Sequence, residues 1–272
     1  MKKILCPVDF SKASMNGMEY AGNLAAKLMA HLTLLYVRPT IWPEAIQLDQ
    51  KVSQGIDDIN SRLQVLSEQC EQEFGVTCSA HIEQTTNTLE KAIAEQATQN
   101  DLIVMGTNGA DNFYQFVFGS NSFHVMKQSS KPVLVVPDDC SFRPIRQIVY
   151  AFDPATNENF TVEQLKALAI PLNASIKVLH VVHGGTPEER EEKIALIKQE
   201  VLSHADKMIS WSFESKLGAD VAWSLGRYAA DDATELLALS FHHRSLIDNI
   251  FRENVIKQLS MTASFPLFTF WR

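Results

Sequence analysis

The sequence has no long apolar run. Nothing in its 272 residues approaches the roughly 18 apolar positions of a membrane-spanning helix. The opening MKKILCPVDF turns polar too early for a secretory leader. Cysteine is scarce: Cys6, Cys70, Cys78 and Cys140 make up the whole complement, and none forms a CxxC pair. A disulfide framework is therefore not expected, and the four read as free thiols. A basic surplus is missing too. The net charge is -8 and no cluster of Lys and Arg offsets it. That argues against nucleic acid as the main partner, because a phosphate backbone needs a basic patch. Motifs of dedicated catalysis are also lacking. There is no GK[ST] phosphate loop, no carboxylate pair at a helical metal spacing and no Ser-His-Asp signature. What remains reads as a soluble, cytoplasmic, globular chain, 46% apolar and 21% charged. Its length suits two ordinary domains.

The chain repeats itself. KKILCPVDF returns as RQIVYAFDP, which sets Ile4 on Ile148 and Asp9 on Asp153. AHLTLLYV returns as ASIKVLHV at the same offset, with Ala30 on Ala174, Leu35 on Leu179 and Val37 on Val181. Towards the ends, NDLIVMG aligns with TELLALS and SSKPVLVVP with ASFPLFTFW, at an offset ten residues shorter. The difference fits an extra loop around RPTIWPEAIQLDQ, which holds two prolines and has no clear period. The halves meet near PDDCSFRP, so the expected domains are 1–138 and 146–272.

Each half alternates short apolar runs with amphipathic stretches. ILCPV, LTLLYV, VTCSAHIE, DLIVMG and PVLVVP read as strands in the first half. Helices are expected after Ser11, from Val52 to Phe74 with Gly75 as cap, over Leu89 to Ala97, and from Ser120 to about Gln128. IVYAF, SIKVLHVV, SFESKL, ELLALS and FPLFTFW repeat the strands in the second half. The run PEEREEKIALIKQE reads as a helix with a solvated, charged face. Strands alternating with helices predict an α/β fold with a mostly parallel sheet and helices on both faces. In such sheets a ligand sits beyond the carboxyl ends of the strands, where the strand order reverses.

One loop stands out at that edge. After the fourth strand comes GTNGADNFYQFVFGSNS, with Gly106, Gly109 and Gly119 in the spacing G-x2-G-x9-G, and Ser120 next. Glycine lets backbone approach a ligand closely. Gly119 and Ser120 open a helix, whose free N–H groups and dipole favour phosphate. Ser120, Asn121 and Ser122 add hydroxyl and amide groups, and Asp9 at the end of the first strand can accept from adenine or ribose. Phe113, Tyr114, Phe116 and Phe118 give the same loop an apolar side, suited to cover a bound nucleotide or to pack at a domain interface, the second being favoured.

The strand-end Asp9 in ILCPVDFSKAS and the G-x2-G-x9-G-S spacing resemble the universal stress protein family, in its tandem two-domain form. The resemblance extends over nearly the whole chain. It implies two Rossmann-like (adenine nucleotide alpha hydrolase-like) domains, each with a five-stranded sheet. It further implies ATP, with or without Mg2+, as the ligand of the first. By that resemblance Pro7, Val8 and Asp9 flank the base or ribose, and Val37 meets adenine through its backbone. Gly106 and Gly109 line ribose and phosphates, and Gly119, Ser120, Asn121 and Ser122 cradle the phosphates. The last strands, PVLVVP and FPLFTFW, are expected to pair as an internal pseudo-dimer, and a further homodimer is compatible with the family.

The second half departs from this pattern. Ser240, His243, Glu253 and Asn254 fall on Gly106, Gly109, Gly119 and Ser120. Glu253 would repel phosphate. This half is not expected to bind ATP in the same manner. Asp153, His183, His242 and His243 converge on its rim by sequence position, residue types that suit a metal or another anion, although exposed histidines are the simpler reading. The glycine loop lacks the Lys that would neutralise a transferring phosphoryl group, and Lys12 is the nearest candidate. At most slow ATP hydrolysis is expected. A nucleotide-free interaction scaffold and a weak ATPase are the competing functions.

Overall fold

The first strand forms because Ile4, Leu5 and Cys6 are apolar in succession, so both of its faces can be buried. The structure, a computed structural model, describes residues 1–39, 50–107, 118–152, 158–231, 234–241 and 265–271. Among these the first half runs β1 (Lys3–Pro7), α1 (Lys12–Leu28), β2 (His31–Pro39), α2 (Gln50–Phe74), β3 (Cys78–Thr85), α3 (Leu89–Ala97), β4 (Leu102–Thr107), α4 (Phe118–Gln128) and β5 (Val133–Pro137). The second runs β6 (Gln147–Ala151), α5 (Glu158–Leu172), β7 (Ser175–Val182), α6 (Pro187–His204), β8 (Trp211–Leu217), α7 (Val221–Asp231), β9 (Leu237–Phe241) and β10 (Leu267–Trp271).

All ten described strands lie in one sheet, in the order β3-β2-β1-β4-β5-β10-β9-β6-β7-β8. Within each half every pairing is parallel. The halves join through β5 and β10, which run antiparallel with Phe268 opposite Leu134. The Thr269 hydroxyl donates to the Val133 carbonyl across this seam at 3.1 Å. The pairing of last strands that the family resemblance implies is thus present.

Strand alternation sends residues to two cores. Ile4, Cys6, Leu102 and Val104 pack with α1, α2, α5 and α6 on one face. Leu5, Ile103, Met105 and Val133 pack with α3, α4 and α7 on the other. This is the α/β layering the sequence predicts.

The repeat persists in small devices. Asp101 at the foot of β4 accepts N–H bonds from Lys2 and Lys3 at 2.6 and 3.1 Å. Its counterpart Glu235 accepts from Arg146 and Gln147. Both α1 and α5 hand over to a left-handed residue, Met29 (φ 50°) and Asn173 (φ 52°), before the next strand. Gly75 ends α2 at φ 66°, in the conformation that favours glycine. At α6, Thr186 and Glu189 form a reciprocal capping box.

Candidate functional site

The first half reverses its strand order between β1 and β4: β2 lies on one side of β1 and β4 on the other. The carboxyl ends of these strands carry Pro7, Val8 and Asp9, Val37, and Gly106. Val8 stays in the sheet, its N–H bonded to the Leu35 carbonyl at 2.8 Å. After it the chain turns. Phe10 takes φ 62°, and Asp9 accepts the Ser11 N–H at 2.9 Å. Ser11 is then the N-cap of α1, its side chain accepting from Ser14 N–H. The Ser14 hydroxyl in turn accepts the Asp9 N–H. Burial pushes the Asp9 carboxyl up, but hydrogen bonds from Ser11 and Ser14 outweigh it and hold the group below the usual aspartate range. Asp9 is therefore an exposed, ionised acceptor fixed at the rim.

Val37 contributes backbone. In β2, His31 N–H bonds to Lys2 on the β1 side and Leu32 N–H to Thr77 on the β3 side. The alternation of a parallel ladder continues along the strand, so Val37 turns its N–H and C=O towards the β1 side, past Pro7, the last residue of β1.

Gly106 is held by packing. A methyl carbon there would stand 1.8 Å from the Ala13 carbonyl oxygen, and one at Gly17 would stand 2.3 Å from the Gly106 nitrogen. Helix α1 rests backbone to backbone on the end of β4, and two glycines permit it. On that face of Gly106 the helix backbone fills the space that a side chain would need. In the sequence Gly17 shows only as a lone glycine inside a helical pattern.

Thr107, the next residue, faces the opposite side. It is 4% exposed and, among the described residues, its hydroxyl has no hydrogen-bond partner. Its ladder mate on β5 is Pro137, which has no N–H to offer. Gly119 and Ser120 lie in the first turn of α4, among the backbone N–H groups that a helix leaves unsatisfied. Asn121 is half-buried, while Ser122 is only 3% exposed and belongs to the interior of the helix. Gly109 lies outside the described residues, as do Phe113, Tyr114 and Phe116, and of the Phe118 and Ser120 side chains nothing is described. Lys12, considered for phosphate, extends to Asp138 at 3.6 Å.

Asn16, another residue the sequence did not mark, donates to the Pro137 and Cys140 carbonyls at 2.7 and 3.1 Å. It ties α1 to the linker between the halves. All four cysteines carry free thiols.

The second rim differs. Thr161 replaces Gly17 and Ser240 replaces Gly106, and their hydroxyls bond at 3.0 Å. His183 is exposed beyond β7, whereas Asp153, His242, His243, Glu253 and Asn254 lie outside the described residues. Among the described residues no three His, Cys, Asp or Glu side chains gather as a metal site, and no helix is long and apolar enough to cross a membrane.

The model of the universal stress protein family matches residues 1–137. The chain belongs to the universal stress protein family. A universal stress protein of Synechocystis sp. is 23% identical over 99% of this chain and all of its own length. One from Methanocaldococcus jannaschii is 29% identical over 50% of this chain and 81% of its own. The crystal structure of a universal stress protein from Archaeoglobus fulgidus superimposes with a TM-score of 0.78 at 16% identity, covering 99% of this chain and 98% of that one. The tandem arrangement is thus a form of universal stress protein that spans the whole chain.

Proposed function

We propose that this universal stress protein binds one adenine nucleotide, ATP, in a first domain of residues 1–138, and that a second domain, 146–272, does not bind it in the same way. The observation that carries the reading is the reversal of strand order at β1–β4. There an ionised Asp9 and the peptide groups that Val37 turns towards the β1 side share one sheet edge with the first turn of α4. Adenine and ribose suit the Pro7–Asp9 and Val37 side, where polar backbone and a carboxylate accept and donate. Phosphates suit Gly109, Gly119 and Ser120, because helix N–H groups favour anions. Asn121 ends that turn, and Ser122 follows it in the helix. The same edge of the second half has Ser240 and Thr161 bonded to each other in place of two glycines.

ATP acts here as a regulatory or structural ligand. Lys12, at the start of α1, pairs with Asp138. Positioning and charge neutralisation are what phosphoryl transfer requires.

The test is analysis of nucleotide released from the purified full-length protein by denaturation, followed by calorimetry of the stripped chain with ATP and Mg2+. One adenine nucleotide per chain is expected. A chain that is empty as purified and silent to millimolar ATP would overturn the reading, as would two equal sites.

A further inference from the structure

Among the described residues, Phe10, Met29 and Asn173 hold left-handed backbone although they are not glycine. Met29 and Asn173 match across the repeat, and each follows a helix, α1 or α5, at the hand-over to the next strand. Their conformation belongs to the fold. Phe10 is different. At φ 62° it lies between β1 and α1, directly after Asp9. In the second half the residue after the matching Asp153 is Pro154, whose ring excludes positive φ, so that half cannot repeat the turn. Left-handed backbone disfavours a residue with a Cβ, and it persists where surrounding structure holds it.

The hold on Phe10 comes through its ring. The Tyr36 ring lies 5.7 Å away, tilted by 33°. The Arg62 guanidinium of α2 sits over the Phe10 ring, 3.9 Å from its centre. A cation over an aromatic face is attracted by the negative face of the ring. Phe10 and Tyr36 are both half-buried against the core that contains Leu63, the neighbour of Arg62. The stack thus joins the turn after β1, the end of β2 and α2. It also braces two segments of the rim, since Phe10 follows Asp9 and Tyr36 precedes Val37. The work of the turn is visible in its hydrogen bonds. The Asp9 carboxylate accepts the Ser11 N–H at 2.9 Å, and the Ser14 hydroxyl accepts the Asp9 N–H at 3.2 Å.

We propose that Phe10 and Arg62 are positioning residues for the adenine nucleotide: the Arg62 guanidinium clamps the Phe10 ring, and the left-handed turn so held aims Asp9 at the ligand. The proposal rests on the nucleotide reading above. It asks neither Phe10 nor Arg62 to touch the ligand.

Calorimetry of the full-length protein with ATP and Mg2+ tests it. Phe10→Ala removes the ring and keeps the Cβ that left-handed backbone disfavours. A turn populated about a tenth of the time binds about tenfold more weakly, and that loss is expected. Phe10→Gly removes the same ring but tolerates positive φ, so it should bind close to the parent. Arg62→Ala should weaken ATP roughly threefold, the scale of one exposed cation–ring contact, and should have no further effect in the Phe10→Gly background. A second readout needs no nucleotide. Amide exchange at Ser11, whose N–H Asp9 accepts, should quicken in Phe10→Ala and Arg62→Ala and stay slow in Phe10→Gly. Equal loss of ATP in the Ala and Gly variants would make Phe10 a packing residue alone and overturn the proposal. An Arg62→Ala loss that persists in Phe10→Gly would mean that Arg62 meets the nucleotide itself, and would overturn it too. A parent silent to ATP defeats the nucleotide reading. The exchange pattern then decides the clamp by itself, and unchanged exchange in Phe10→Ala refutes it.

Discussion

Thr161 and Ser240 share a hydrogen bond of 3.0 Å at the two positions where the first half has Gly17 and Gly106. The two halves therefore solve the same packing problem differently. One brings helix and strand backbones into contact, and the other holds them apart on a pair of hydroxyls. Both hydroxyl-bearing residues are buried, so the bond is sheltered from water.

Gly106→Ala tests that contact. The added carbon has only backbone to meet, at 1.8 Å from Ala13 oxygen. Overpacking typically costs about 1–3 kcal/mol, and a backbone neighbour places this site at or above about 3 kcal/mol. Urea denaturation should show the midpoint falling. A midpoint equal to the parent's would mean α1 slides away freely.

Gly109→Ala combined with Gly119→Ala probes the nucleotide loop instead. Gly119 sits in the first turn of α4. The variant should fold, by circular dichroism and melting, yet bind ATP at least about tenfold more weakly, a loss of about 1.4 kcal/mol. Parent-like affinity would remove the loop from the site.

Met29 sits in left-handed backbone at φ 50° with its side chain 80% exposed. A side chain with a Cβ costs about 1–2 kcal/mol there. Met29→Gly should therefore raise stability by about 1 kcal/mol, and Met29→Asn, which copies Asn173 of the second half, by somewhat less. A fall in melting temperature for both would show that the Met29 side chain contributes contacts.

Asp9 links the rim to pH. Its carboxyl lies below the ordinary value because its hydrogen bonds outweigh its burial. The unfolded value is about 3.9, so its stabilising effect is complete above that pH and disappears as pH falls through the folded value. Asp9→Asn should flatten the acid limb of a stability-versus-pH curve and leave the neutral limb parallel to the parent's. An acid limb of unchanged slope would assign the effect elsewhere, with Asp101, lowered by the Lys2 and Lys3 N–H groups against its own burial, as the next group to test.

Asn16→Ala removes two bonds to the linker, at Pro137 and Cys140. A loss of about 1–2 kcal/mol is expected, with faster amide exchange confined to residues 137–143. Exchange that speeds up uniformly would point to a general loss of stability instead.

Much of this was legible beforehand because the signals are local. ILCPV and its repeat could be buried strands only if helices covered both faces, and they do. Ser11 capping α1 and Gly75 ending α2 follow from residue chemistry within a few positions. The pairing of β5 with β10 was accessible only through the family resemblance, which implies that the last strands meet. Asn16, Gly17 and Thr107 carried no comparable mark. Each has its meaning through a partner more than eighty residues away, or through the lack of one among the described residues.

Sequence alone determined the alternation of strands and helices, the duplication, the family and the asymmetry of the two glycine loops, because periodicity, capping and backbone freedom are properties of neighbouring residues. Only the tertiary structure decided that the ten described strands make one continuous sheet, that the close approach of α1 requires glycine at 106, and that Asn16 of α1 bonds to the segment between the halves. Those depend on which distant surfaces meet, and close packing settles that only once the chain has folded.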